Sequence, residues 1–231
     1  MRYYTYLNEK KIPTPNKKNY HPRLVTRMID DNLYEILSNN NVFKLYLKNS
    51  NNLLYRGVKR DIYHYDLIKR RKDRKPKDMP KHLHDLFDYE FNKKFGWKAR
   101  SEGVFITNNR KDTLVYGNPY IFIPQHPFRF LYSTEIKDLY SDVSGENSIF
   151  LDFLEVAILN DDDEMIDILS QDYNDKDIKT KQEIINNIMN TYKNNNIKLA
   201  IDYKHEIMFD CNEYYLFEES VFKQILKDFN Q

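Results

Sequence analysis

Residues 205–217 read HEIMFDCNEYYLF and contain the pattern that decides the fold. Two short apolar runs, 206–209 and 214–217, flank a polar turn at 210–212. Runs of this length beside turn residues are typical of strands, so we predict a strand hairpin. Residues 220–229 follow it and predict a closing strand or a short helix.

Further short apolar runs lie upstream of the hairpin. The runs LLYRGV at 53–58, GVFIT at 103–107 and YIFIP at 120–124 each predict a strand that ends at turn residues or at proline. A run at 42–47 also predicts a strand. The middle third of the chain is therefore expected to be rich in strands.

Helical periodicity lies on both sides of these runs. Apolar residues recur at helical spacing over 24–37, over 82–95 just before Gly96, and within the block 149–192. Strands and helices that fall into separate groups along the chain favour the α+β class.

Length and composition indicate one folded domain. The chain has 231 residues, of which 41% are hydrophobic and 15% aromatic, and this is enough for a sizeable core and excludes a disordered chain. We expect a single domain over 1–231, with 1–52 as an N-terminal extension and 149–192 as a helical insertion.

Charge and cysteine content bound the partners and the compartment. The 36 Lys and Arg residues balance 35 Asp and Glu residues, so attraction to a polyanion would have to come from a local patch. Cys211 is the single cysteine, which favours a reducing, cytoplasmic location. No run has the length of a membrane span or the spacing of zinc ligands, so we expect no membrane partner and no metal.

One local patch is strongly basic. Residues 69–81 read KRRKDRKPKDMPK and begin with Lys69, Arg70 and Arg71. Such runs are usually solvated loops, but they can also follow a nucleic-acid backbone. The sequence leaves both interpretations open.

Three separated elements hold residues that point to one chemistry. Arg56 and Gly57 lie in the first predicted strand, Thr107 ends the second, and Glu206 begins the hairpin. In this order they resemble the arginine-serine-glutamate class of ADP-ribosyltransferases, in which an arginine-glycine strand, a Ser-Thr-Ser strand end and a late glutamate line one NAD cleft. The resemblance covers scattered elements within about 53–217.

The resemblance implies a split, mostly antiparallel β-core and a role for each matched residue. Arg56 would hold the NAD phosphates, with Gly57, Thr107 and Tyr116 also contacting NAD. Thr107 stands where the family's first serine positions the catalytic glutamate, and that glutamate would be Glu206. Asparagines occupy the other two positions of the Ser-Thr-Ser element.

These residue types suit the chemistry on physical grounds as well. A guanidinium can bind a pyrophosphate with two parallel hydrogen bonds, which a lysine cannot do. Breaking the bond between nicotinamide and ribose passes through an oxocarbenium-like transition state, which a nearby carboxylate stabilises. A hydroxyl such as that of Thr107 can fix the carboxylate in place.

A second acid competes with Glu206 for the catalytic role. The run NEYYLF contains Glu213 and resembles the glutamate strand of the poly-ADP-ribose polymerase branch. That branch pairs its glutamate with histidine and tyrosine instead of an arginine strand, so Glu206 is the preferred choice.

Lys204 bears on the acceptor. Family members that modify protein arginine have an acid two residues before the catalytic glutamate, whereas Lys204 stands there and would repel a guanidinium. RNA or DNA is therefore favoured over protein arginine, with Lys204, Lys69, Arg70 and Arg71 as acceptor-binding residues. The resemblance also implies a toxin, phage or phage-defence setting, host cytoplasm for a phage-encoded chain, and an antitoxin or immunity protein as partner.

An interpretation from another class stays open. The chain could be a noncatalytic nucleic-acid-binding or virion structural protein that uses the basic segment. In that case Arg56 and Glu206 would form only a structural pair. NAD binding separates the two interpretations.

Overall fold

The computed structural model describes residues 31–71, 79, 81–144 and 185–230. Helices and antiparallel strands are mixed across these residues, which confirms the α+β class. The beginning of the helix predicted over 24–37 and most of the block 149–192 lie outside the described residues.

The described strands form two antiparallel sheets. They are β1 (Tyr55–Val58), β2 (Tyr65–Lys69), β3 (Val104–Ile106), β4 (Asn118–Pro124), β5 (Phe128–Ser133), β6 (Tyr192–Lys193), β7 (Ile207–Cys211) and β8 (Glu213–Phe217). The first sheet has the order β1-β4-β8-β2 and the second β3-β7-β5-β6. Each neighbouring pair runs antiparallel.

Helices cover the outer faces of the sheets. They are α1 (Asp31–Asn39), α2 (Asn41–Lys48), α3 (Lys81–Phe95), α4 (Ala99–Glu102), α5 (Leu139–Ser144), α6 (Ile197–Asp202) and α7 (Glu219–Phe229). A 3-10 helix spans Asp112–Val115, and residues 185–191 are helical. Gly96 has a φ of +76° at the end of α3, as the sequence predicts.

The core fills the space on both sides of the sheets. Phe122 of β4 contacts Phe209 of β7 with ring centroids 5.2 Å apart, which joins the two sheets face to face. Strand alternation places Met208 on the opposite face of β7, where it packs with apolar residues of α3. The second sheet therefore buries apolar side chains on both faces.

The strand predicted at 42–47 is wrong, because this segment is the helix α2. The Oδ1 atom of Asn40 accepts hydrogen bonds from the backbone N–H groups of Val42 (3.0 Å) and Phe43 (3.1 Å). This caps the helix at its N-terminus and satisfies amides that helix formation leaves without partners. The buried residues Val42, Phe43 and Tyr46 then follow helical spacing.

The two strands of the predicted hairpin are present as β7 and β8, but their pairing as a hairpin is wrong. β7 pairs with β3 and β5 in the second sheet, whereas β8 pairs with β4 and β2 in the first. Only Asn212 separates the two strands, so the chain changes sheets over one residue before β8. The segment after it is the helix α7, which settles the choice between strand and helix. Phe222 of α7 packs on Phe217 with ring centroids 5.2 Å apart.

The loop predicted at 69–81 is one residue too long at each end, while its described residues 70, 71 and 79 lie outside helices and strands. Lys69 is the last residue of β2 and lies opposite Glu213 of β8 in the antiparallel ladder. At the other end α3 already begins at Lys81. Residues 72–78 and 80 lie outside the described part of the chain. Across the described ranges, no helix combines the length and apolar character needed to cross a bilayer.

Candidate functional site

The structure brings the three predicted site elements side by side. Tyr55, which precedes Arg56, exchanges two backbone hydrogen bonds of 2.7 and 3.1 Å with Thr107. β3 in turn pairs with β7 as far as Ile207, so the strand end that leads to Thr107 meets the strand start that follows Glu206. Arg56, Thr107 and Glu206 therefore lie on or next to three successive strands, β1, β3 and β7.

Arg56 is half-buried and has no acidic ion-pair partner among the described residues. Its Nη1 atom donates to the backbone oxygen of Phe105 at 3.1 Å, and its guanidinium lies 5.6 Å from the ring centre of Tyr214. The buried Nε atom has no hydrogen-bond partner within the described part of the chain. Burial raises the pKa of Tyr214 above its ordinary value, and the charge of Arg56 opposes that rise. A buried donor without a partner is costly, so this guanidinium retains capacity for an anion.

Glu206 forms an ion pair with Arg100, a residue that no motif in the sequence marks. The Nη1 atom of Arg100 lies 2.9 Å from Oε1 of Glu206, and the two side chains are only 11% and 20% exposed. The backbone N–H of Glu206 donates to the backbone oxygen of Lys137 at 2.8 Å. Glu206 therefore pairs with Arg100 and not with Arg56, which corrects the structural pair expected under the noncatalytic interpretation.

A buried tyrosine lies near this ion pair. Burial raises the pKa of Tyr192 well above its ordinary value, and the negative charge of Glu206 raises it further while Arg100 opposes the rise. The Glu206 carboxylate is therefore in a partly desolvated environment, where electrostatic interactions are stronger than in water.

Thr107 is half-buried, and its hydroxyl oxygen takes part in a local turn. Oγ1 of Thr107 accepts a hydrogen bond of 3.0 Å from the backbone N–H of Asn109. The Nδ2 atom of Asn108 donates to the backbone oxygen of Ile201 at 2.6 Å, which ties the strand end to α6. Asn108 and Asn109 thus hold the shape of this strand end.

Gly57 and Tyr116 lie beside each other next to Arg56. A Cβ atom placed on Gly57 would lie 2.2 Å from the backbone oxygen of Thr113 and 3.0 Å from the Cβ atom of Tyr116. Glycine is therefore required here by the close approach of the 3-10 helix to β1. The Tyr116 side chain is 54% exposed, next to the strand that carries Arg56.

The rival acid Glu213 directly precedes Tyr214, whose ring the Arg56 guanidinium contacts, but it is not at the strand end of Thr107. It is the first residue of β8, whose neighbours in the sheet are β4 and β2. β8 pairs with neither the strand of Arg56 nor the strand that leads to Thr107. The structure therefore groups Glu206, and not Glu213, with the strand end at Thr107.

The predicted acceptor-binding residues differ in how accessible they are. Lys204, Lys69 and Arg71 are exposed. Arg70 is not a solvated residue, because its side chain is 9% exposed and its Nη1 atom lies 2.6 Å from Oδ1 of Asp210. Its charge is therefore already used within the fold.

Other parts of the described chain offer weaker sites. A cavity of about 330 Å³ lies between α2 and α6, lined in part by Lys48, Lys198 and Asp202, but by none of the predicted site residues. Within the described ranges, no group of three or more His, Cys, Asp or Glu side chains is arranged to hold a metal ion.

Comparison with known proteins adds no assignment. The chain matches no family model, no curated protein and no solved structure. The residues and their geometry are therefore the basis for any function assigned to this chain.

Proposed function

We propose that the protein is a mono-ADP-ribosyltransferase that moves ADP-ribose from NAD to a macromolecular acceptor. The adjacency of β1, β3 and β7 carries the proposal, because it places residues that are up to 150 positions apart, from Arg56 to Glu206, on or next to successive strands. An ADP-ribosyltransferase type of β-core is part of the same proposal, and the two antiparallel sheets support it.

NAD would bind along β1 in this proposal. Arg56 supports this role because its half-buried guanidinium has no described acid beside it and keeps donors for the pyrophosphate. Gly57 would let the 3-10 helix stay close to β1, and the exposed ring of Tyr116 could pack on a flat ring of the dinucleotide.

Glu206 would act on the ribose. The bond from the ribose C1 atom to the nicotinamide nitrogen breaks, its electron pair leaves with nicotinamide, and positive charge develops on the ribose. The Glu206 carboxylate would stabilise that charge in a partly desolvated site. A nucleophilic atom of the acceptor then bonds to C1 and loses its proton to solvent.

We favour RNA or DNA as the acceptor. The exposed Lys204 lies two residues before Glu206 and would attract a phosphate backbone while repelling an acceptor arginine. Exposed Lys69 and Arg71 would offer a second basic position beside the turn after β7, at the opposite end of that strand from Glu206, whereas Arg70 is withdrawn from this role by Asp210. A toxin, phage or phage-defence setting with a neutralising protein partner belongs to the same proposal.

The test is transfer of label from NAD to separate pools of protein, RNA and DNA. The wild-type chain is expected to label a nucleic-acid pool and release nicotinamide. Glu206→Gln keeps the side-chain shape, removes the charge and is expected to lower the rate about 100-fold or more. Glu213→Gln is the matched control and is expected to stay within about threefold of wild type.

Three outcomes would contradict parts of this proposal. Full activity of Glu206→Gln together with loss in Glu213→Gln would move the catalytic role to Glu213. Label in the protein pool alone would overturn the nucleic-acid acceptor. If no pool is labelled, no nicotinamide is released and calorimetry detects no NAD binding, the noncatalytic interpretation replaces the transferase.

A further inference from the structure

We infer that Arg100 is the positioning residue that fixes the carboxylate of Glu206 for catalysis. The family resemblance gives that role to the residue at Thr107, and nothing in the sequence pattern points to Arg100. The inference rests on the proposed function, because it concerns the same carboxylate.

The geometry of the contact between Arg100 and Glu206 fits a positioning role. Nη1 of Arg100 lies 2.9 Å from Oε1 of Glu206, which is within the range of a charge-assisted hydrogen bond. With 11% and 20% of their side chains exposed, the two groups are largely shielded from solvent. A bond to a planar guanidinium in such a place restricts the rotamer of the carboxylate far more than a surface ion pair does.

Arg100 is itself held on two sides. Its guanidinium lies 4.6 Å from the ring centre of Phe105, which restricts its plane. Its backbone N–H donates to Oδ1 of Asp88 at 2.7 Å, and Ser101 donates to the same carboxylate from both its N–H and its hydroxyl. Asp88 is only 4% exposed, so it is a fixed anchor on α3. These contacts connect a rigid helix to the proposed catalytic oxygen.

Thr107 makes a different contact. Its hydroxyl oxygen accepts from the backbone N–H of Asn109, two residues along the chain. Arg100, and not Thr107, donates a side-chain hydrogen bond to Glu206. We therefore assign the positioning role to the guanidinium of Arg100 on α4 and not to the hydroxyl of Thr107.

The first test compares two arginine variants on the same purified full chain. Arg100→Met keeps an apolar stem on Phe105 and removes the hydrogen bond, and we expect kcat for nicotinamide release to fall about 100-fold, since a shift of about 1 Å can cost that much. The KM for NAD is expected to stay within about threefold. Arg100→Lys restores a charged donor and is expected to recover part of kcat.

Arg129→Met is the matched control. Arg129 also pairs with a carboxylate of β7, with its Nε atom 2.6 Å from Oδ2 of Asp210, and lies 5.2 Å from the ring centre of Trp97. It has no described contact with Glu206, so its loss is expected to leave kcat within about threefold of wild type. An equal fall in both variants would show a general structural effect and overturn the inference.

A double-mutant cycle distinguishes a positioning role of Arg100 from a general effect on the structure, because it compares the loss of kcat with and without the Glu206 carboxylate. If Arg100 acts through Glu206, Arg100→Met causes no further loss of kcat in the Glu206→Gln background. If the two losses multiply, the inference is overturned. Should Arg100→Met fail to fold, Arg100→Lys and Arg100→Gln complete the same cycle.

The two proposals fail in distinguishable ways. Wild-type chain that neither binds NAD nor releases nicotinamide removes the proposed function and this inference with it. An active wild type, an inactive Glu206→Gln and an Arg100→Met variant with normal kcat would overturn the positioning role alone.

Discussion

At the scale of single residues, Arg56 shows how a fold can keep a charge available. Its guanidinium is half-buried, yet it contacts a backbone carbonyl and an aromatic ring in place of a described carboxylate. Arg70, Arg100 and Arg129 each have a carboxylate within 3 Å. The contrast suggests that Arg56 is the member of this set that an external anion can engage without first breaking an ion pair.

Gly57→Ala tests the close approach of the 3-10 helix to β1, the strand that carries Arg56. The new methyl group would lie 2.2 Å from the backbone oxygen of Thr113, so β1 and the 3-10 helix have to move apart. We expect a loss of about 1 to 3 kcal/mol in the free energy of unfolding, measured by urea denaturation. Lys59→Ala, at an exposed position nearby, is expected to change it by less than about 0.5 kcal/mol. Equal stability of the two variants would contradict the assigned packing role of Gly57.

At the scale of elements, Asn40 joins the start of α2 to the end of β4. Its Oδ1 atom caps the helix, while its Nδ2 atom donates to the backbone oxygen of Pro124 at 2.6 Å. The side chain is 2% exposed, so water cannot replace these bonds without rearrangement. A single amide thus determines both where the helix begins and where it lies on the sheet.

Asn40→Ala is expected to destabilise the chain much more than the same change at its neighbour. Loss of the cap together with a buried carbonyl left without its donor is expected to cost about 2 to 4 kcal/mol in thermal or urea unfolding. Asn39→Ala removes the same amide from an exposed position and is expected to cost less than about 0.5 kcal/mol. A loss below about 1 kcal/mol for Asn40→Ala would show that the cap contributes little.

Elements could be predicted from sequence where the signal is local. The strands β4, β7 and β8 have short apolar runs closed by turn residues or proline, and Gly96 marks the end of α3. The pairing of β7 and β8 with different sheets was not predictable, because it depends on partner strands far away in the sequence. The strand β2 was missed because its residues YDLIK are all partly or fully exposed and lack an apolar alternation. The segment at α2 was assigned to the wrong class because its cap also depends on a carbonyl 84 residues away.

The candidate site was predictable only in part, because it also depends on contacts between residues that are far apart in sequence. Arg56, Thr107 and Glu206 stand in segments whose order and strand pattern can be compared with a family. Arg100 contacts Glu206 across 106 positions, and neither the spacing nor the composition of its segment, ARSE, predicts that contact. Contacts of this kind are created by the assembly of the sheets and become visible only in the folded chain.

At the scale of the whole molecule, a buried thiol makes stability depend on alkaline pH. Cys211 is 1% exposed in the core between the sheets, and burial raises the pKa of its thiol from 9.0 to about 12. The folded chain keeps the proton that the unfolded chain releases above pH 9. The contribution of the protonated thiol to the free energy of unfolding is therefore complete below pH 9. It decreases as the pH rises from 9 toward 12.

The measurement is the free energy of unfolding in urea between pH 8 and pH 11. We expect the wild-type value to fall above pH 9, with the thiol contributing at most about 1.4 kcal/mol per pH unit. Cys211→Ala removes this titration and is expected to show a shallower fall over the same range, whatever its stability at pH 8. Parallel curves for the two chains would show that the thiol does not contribute to the pH dependence.

The backbone bonds that join the two sheets at Tyr55 have a mechanical consequence. Tyr55 of the first sheet exchanges two hydrogen bonds, of 2.7 and 3.1 Å, with Thr107 just after a strand of the second sheet. Separating β1 from β3 would break both bonds, so Arg56 and the strand end at Thr107 are expected to keep their spacing as the rest of the molecule moves. Binding at this junction would be limited by the ligand's own loss of freedom and not by closure of the protein around it.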